Sequence, residues 1–144
     1  MNWKSALHVV LIGQIVGHVS GIAHGYLAAI AIPVEYFKWF DTHLHVKVGM
    51  VLLDAAQLFL GTGLLIFIVA FLITGSLSNP LKHCLVFYAS VEFYFIVTIA
   101  VIYGQAIYWP TYIFSYYGIA KTVPIIMLFL AYKLRRRIDE VKEL

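Results

Sequence analysis

Charge is scarce in this chain. Lys, Arg, Asp and Glu make up 12% of its 144 residues, roughly half the share found in soluble domains. A surface cannot be solvated with so few charges, which excludes an ordinary soluble domain. Cysteine is nearly absent too. The single Cys84 rules out an internal disulfide, a multi-cysteine metal cluster and a CxxC redox pair. There is no phosphate-binding glycine loop, no Ser-His-Asp arrangement, no paired-carboxylate signature and no ion-filter motif. What remains is 62% hydrophobic, with a mean hydropathy of +0.91. The expectation is one all-α membrane domain over residues 1–144, with no length left for a soluble catalytic module.

Four apolar stretches, at about 5–32, 47–74, 81–107 and 112–134, are long enough to cross a hydrocarbon core of ~30 Å. Pro33 and the mixed segment from Glu35 to Asp41 close the first, and Gly75 to Pro80 reads as a turn. Tyr108, Trp109 and Pro110 form another turn, with aromatics suited to the headgroup layer. The first stretch is too long, and too rich in histidine and glycine, for a cleavable signal peptide. With four spans, Lys4, Lys82, Lys133, Arg135, Arg136, Arg137 and Lys142 share one side, against Lys38 and Lys47 on the other. The positive-inside rule then places both termini in the cytoplasm, with the tail 135–144 a basic extension near anionic headgroups. The net charge of +3 is read as an orientation signal and not as a nucleic-acid patch. The protein is expected to be an integral, multi-pass membrane protein, of the plasma membrane in a prokaryote.

The first stretch carries Gly13, Gly17, Gly21 and Gly25, one residue in four, which forms a single smooth stripe on a helix. Each costs a soluble helix about 1 kcal/mol relative to alanine. In a bilayer such a glycine zipper lets another backbone, or a flat cofactor, come close.

Orientation sorts the polar residues by depth. His8 and His83 fall near the cytoplasmic ends of the first and third spans, and His24, His43, His45 and Asp54 near the opposite surface. Were the second helix to begin at His43, then His43, Lys47, Asp54, Gln57 and Gly61 would share one face. His43, His45 and Asp54, with His24 at similar depth, are the candidate metal ligands; such donors suit zinc, copper or iron. The plainer alternative makes His43 and His45 ordinary loop residues. His8 and His83 are positioned to meet as the axial pair of a haem b, with His24 the candidate at the other level. His8 and His24, however, are about 160° apart round their helix, and interfacial histidines that merely snorkel are the competing reading.

His18, Glu92 and Lys121 lie close to mid-membrane, where a charge costs roughly 3 kcal/mol and usually faces the bundle interior. Glu92 is the natural counter-ion of Lys121, which precedes the helix-breaking Pro124. The pair either fixes how the third and fourth spans pack or, with His18, forms a proton path or polar pocket. Tyr88 and Tyr103 share the Glu92 face, and Tyr117 lies one turn before Lys121. The ten tyrosines and ten phenylalanines suit lipid, quinone, sterol or another membrane subunit.

From Thr42 to Gly49 the chain reads T-H-L-H-V-K-V-G, and His83 opens the third span. This resembles small four-helix membrane proteins related to haem–copper oxidase subunit I. That resemblance implies an accessory subunit of a respiratory, electron-transport oxidoreductase complex, packed against larger subunits and holding haem b or copper. A structural subunit with no cofactor, or a homo-oligomer, is the alternative. From Ser115 to Pro124 the chain reads S-Y-Y-G-I-A-K-T-V-P, similar to the last helix of the emopamil-binding and sigma-2 receptor family. This second resemblance implies a binding protein or isomerase for a sterol-like molecule, with Asp54 and Glu92 as the buried acids.

Overall fold

The computed structural model describes residues 3–43, 45–102, 104 and 116–142, and among these it is helical, with no strand. Helix α1 spans Trp3–Ala28, α2 Val34–His43 and α3 Val46–Leu58; a π turn, Phe59–Gly63, joins α3 to α4, Leu64–Ser76. Helix α5 spans Pro80–Ile102, α6 Tyr116–Ala120 and α7 Thr122–Lys142. The turn expected at Tyr108 to Pro110, the start of the fourth stretch at 112, and Tyr103 lie outside the described residues.

Among the described residues, three helices are long and apolar enough to cross a membrane: α1, the 31-residue unit from Val46 to Ser76, and α5 as far as Thr98. Their bounds differ from the sequence reading mostly at turns. The mixed segment after Pro33, which closes the first stretch, folds as the ten-residue α2. Its Val34, Phe37 and Trp39 remain exposed while Phe40 is buried against Gly49. A helix with aromatics on its outer side suits the interfacial layer.

Close contacts fix the directions of the helices. Gly13 faces Ser90 and Gly17 faces Tyr94, so α1 and α5 run parallel. Gly63 faces Met127 and Gly75 faces Arg135, so α4 and α7 run parallel as well. Ser5 and His8 share a groove with Ser76 and Leu77, and α1 therefore opposes α4. The start of α1, the turn after Ser76 and the basic end of α7 consequently lie at one end of the bundle.

Helices α1 and α5 meet in a close seam. A Cβ on Gly13 would stand 2.6 Å from Ser90 Cβ and 2.9 Å from the Phe87 carbonyl oxygen, and one on Gly17 would stand 2.8 Å from Tyr94. Only glycine allows that approach. Hydrogen bonds then tie the seam: Gln14 Nε2 donates to the Ser90 carbonyl and hydroxyl, each at 2.8 Å, and Ser90 Oγ donates to the Val10 carbonyl at 2.8 Å. Interhelical bonds of this kind average about 0.6 kcal/mol in a membrane. Beneath them lies an apolar core of Val9, Val16, Ile66, Phe87, Val91 and Leu128.

At the basic end the Arg135 guanidinium packs on Gly75 and sits 5.2 Å from the Phe71 ring centroid. It thus rests on the C-terminal turn of α4, where a cation complements the helix dipole.

Candidate functional site

In the π turn the Leu64 N–H reaches back five residues to the Phe59 carbonyl. The extra residue shifts the helical register, and such turns recur at functional sites. Gly61 and Gly63 make the turn thin on two sides. A Cβ on Gly61 would meet the His24 ring at 3.2 Å and Leu27 at 3.3 Å; one on Gly63 would meet Met127 at 3.3 Å. Helix α1 therefore seats its imidazole directly on the turn.

Three polar atoms in this region are buried without a hydrogen-bond partner: Ser20 Oγ, His24 Nε2 and Thr62 Oγ1. Ser20 and His24 are one helical turn apart on α1, and Thr62 belongs to the π turn that α1 packs against. Buried polar groups left unpaired are rare in native proteins. Charge gathers at the same place. His24 lies within electrostatic reach of Lys121 and of Asp54. Asp54 is half-buried on α3, which packs on α6 just before Lys121.

The helix breaks at Lys121, between α6 and α7. Pro124, buried three residues on, cannot donate to the Ala120 carbonyl, which removes the bond that would have carried one helix through. The break releases the lysine towards α5. Its Nζ lies 3.1 Å from both Glu92 carboxylate oxygens and 4.6 Å from the Phe95 ring centroid. The side chains are 9% and 24% exposed, so the pair is mostly, not wholly, withdrawn from its surroundings.

His18 does not join this pair among its recorded contacts. Its Nδ1 lies 2.8 Å from the Tyr94 hydroxyl and its ring meets the tyrosine edge-on. Tyr94 and Glu92 are two residues apart on α5, about 200° round the helix, so a partner of one does not face the other. His18 belongs to the α1–α5 seam.

The outer candidates are placed apart. Helix α2 ends at His43, α3 starts at Val46, and the π turn resets the register before Gly61. The shared face from His43 to Gly61 is therefore not formed. The His43 side chain lies outside the described residues. His45 is an extended cap whose Nδ1 accepts the Lys47 N–H at 3.2 Å. It is nine residues from Asp54, half a turn out of phase; the imidazole near Asp54 is His24. Among the described residues no three His, Cys, Asp or Glu side chains gather as a metal site. Tyr36 on α2 donates its hydroxyl to the Gly49 carbonyl at 2.6 Å. Desolvation first, and the Asp54 carboxylate second, push its phenol above the usual range.

His83 is buried on α5, with Nδ1 3.1 Å from the Asn79 carbonyl and Nε2 unpartnered. His8 is exposed and lines the groove between α1 and α4, to which His83 does not contribute. A bis-imidazole haem needs both rings across one cleft, and the two histidines do not fit that requirement.

Thr62 and the π turn escaped the sequence reading. The only signal was the pair of glycines round Thr62, which on a straight helix would not point to one site. Comparison with protein-family models, with curated proteins and with solved structures finds no match.

Proposed function

We propose that this protein crosses the membrane four times with both termini in the cytoplasm, and binds a lipid-like small molecule at an ionisable site inside the bundle. Two parallel pairs of helices and the gathering of basic residues at one end support the topology. One observation carries the binding reading. His24, Asp54 and Glu92, on three separate helices, and Lys121, at the break between α6 and α7, come into one neighbourhood, where Ser20 and Thr62 also bury unpaired hydroxyls. Charges at such depth are costly and mark pathways or pockets. The unpaired atoms would hydrogen-bond the polar group of the ligand, and Phe95, Leu27 and Met127 would hold its apolar body.

The test is lipid extraction and mass spectrometry of the gently solubilised protein, beside His24→Leu and Asp54→Asn. A molecule retained by the natural chain and lost from both variants is the expected result. Identical extracts from all three would sink the reading.

A small subunit of a membrane oxidoreductase complex is the competing proposal, and one observation favours it. A Cβ on Gly25 would meet nothing within 4 Å, and one on Gly21 only Tyr94 at 4.0 Å. That face is open to a helix of a larger partner. Co-purified subunits, together with a Soret band in the same sample, would decide for it.

A further inference from the structure

A second site lies at the end of the bundle opposite the basic residues, where α2 links α1 to α3. Tyr36, Phe37 and Phe40 wall a cavity of about 280 Å³ between α2 and the start of α3, with Lys38 and Asp41 at its edge. Round the helix the wall runs from Tyr36 and Phe40 through Phe37 to Asp41 and Lys38. It is aromatic on the inner side and charged on the exposed side. Gly49 of α3 fixes the rings. A Cβ there would stand 2.7 Å from the Phe40 ring, and the Gly49 carbonyl accepts the Tyr36 hydroxyl at 2.6 Å. Both rings are thus in place before anything binds, which lowers the entropic cost of binding. Tyr36 and Phe37 stand at 90° with centroids 5.5 Å apart, and Phe40 is tilted by 55° to Tyr36, so neither pair is stacked face to face. The ion pairs of the described residues lie elsewhere and leave Lys38 and Asp41 without a charge partner.

We infer that this cavity holds the headgroup of a phosphatidylcholine from the leaflet on that side. Its quaternary ammonium lies against the aromatic wall and Asp41, and its phosphate against Lys38. A quaternary ammonium donates no hydrogen bond, and is drawn instead to ring faces and to a nearby carboxylate. The cavity falls just below the usual range of ~300–1,000 Å³ for small-molecule pockets, which suits a headgroup and not a whole lipid. Position supplies the occupant. Helix α2 joins α1 to the Val46–Ser76 unit, both long enough to cross the bilayer, so the cavity opens at headgroup level. The inference rests on membrane insertion and on none of the residues of the His24–Asp54 site.

Native mass spectrometry of the delipidated full chain tests it, with the dioleoyl forms of phosphatidylcholine, phosphatidylethanolamine and phosphatidylglycerol added in turn. One phosphatidylcholine is expected to bind at least about twofold tighter than phosphatidylethanolamine, which shares its phosphate and net charge but lacks the quaternary group. Phe37→Leu keeps the apolar bulk and removes a ring; Phe37 is 42% exposed, so the change disturbs little of the core. It should weaken phosphatidylcholine binding about two- to fivefold and leave phosphatidylethanolamine nearly unchanged. Asp41→Asn, on the exposed side of α2, should lower the preference over phosphatidylglycerol and serves if the first variant folds poorly by circular dichroism. Equal binding of phosphatidylcholine and phosphatidylethanolamine, or undiminished phosphatidylcholine binding by both folded variants, overturns the inference. Phosphocholine without acyl chains, binding as tightly as the lipid, would overturn the lipid as the occupant.

Discussion

The two halves of α1 carry the same glycine spacing and use it differently. At Gly13 and Gly17 the helix is clamped: α5 touches the glycine surface, and Gln14 and Ser90 close the seam with hydrogen bonds. One turn further, the contacts loosen. Gly21 is barely touched, Gly25 faces open space, and next to them in sequence stand Ser20 and His24 with unpaired polar atoms. A periodic motif thus marks where close approach is allowed, not where it happens. What decides is the neighbour: α5 presents a serine and a tyrosine to the first half, while the π turn presents a glycine to the His24 ring.

The sharpest way to break this comparison is leucine at each rung. Gly13→Leu and Gly17→Leu must push α5 away and should cost about 3 kcal/mol or more, read as loss of thermal stability in detergent. Gly25→Leu should change stability by no more than about 0.5 kcal/mol. Equal losses at all three would mean that the outer half is packed as tightly as the inner.

A smaller effect is expected at the ion pair. Lys121→Met leaves Glu92 without its cation, and should cost about 2 kcal/mol once the partial exposure of the carboxylate is discounted. Adding Glu92→Leu should recover most of the loss, because an apolar pair needs no counter-charge. A double variant no better than the single would show that the carboxylate is not what Lys121 serves.

The smallest concerns Tyr36. A phenol whose folded-state value is raised above 10.0 favours folding below pH 10, and that contribution is lost as pH rises through the folded value. Fluorescence of the neighbouring Trp39 should therefore report α2 loosening in alkali. Tyr36→Phe should remove the alkaline transition, and an unchanged transition in that variant would assign it elsewhere.

The long apolar runs were legible in the sequence because a bilayer imposes length and apolarity on every span. Equal depth of Glu92 and Lys121 can be counted along two spans. Their 3.1 Å contact cannot, since it depends on the break at Lys121 and on the rotation of α5. The same rotation sends His18 to Tyr94. The π turn leaves no trace in an apolar stretch: one extra residue shifts the phase of Gly61 without changing its composition. Helix α2 was hidden for the opposite reason, its mixed sequence matching a loop as well as a surface helix.

Helix α7 is one uninterrupted rod of 21 residues, about 31 Å from end to end. It begins beside Lys121 and ends in the basic segment. Its interior offers no hinge, so the two ends form one mechanical unit. A binding partner that tilted the tail would lever the lysine against Glu92, and a ligand that displaced the lysine would be felt at the tail.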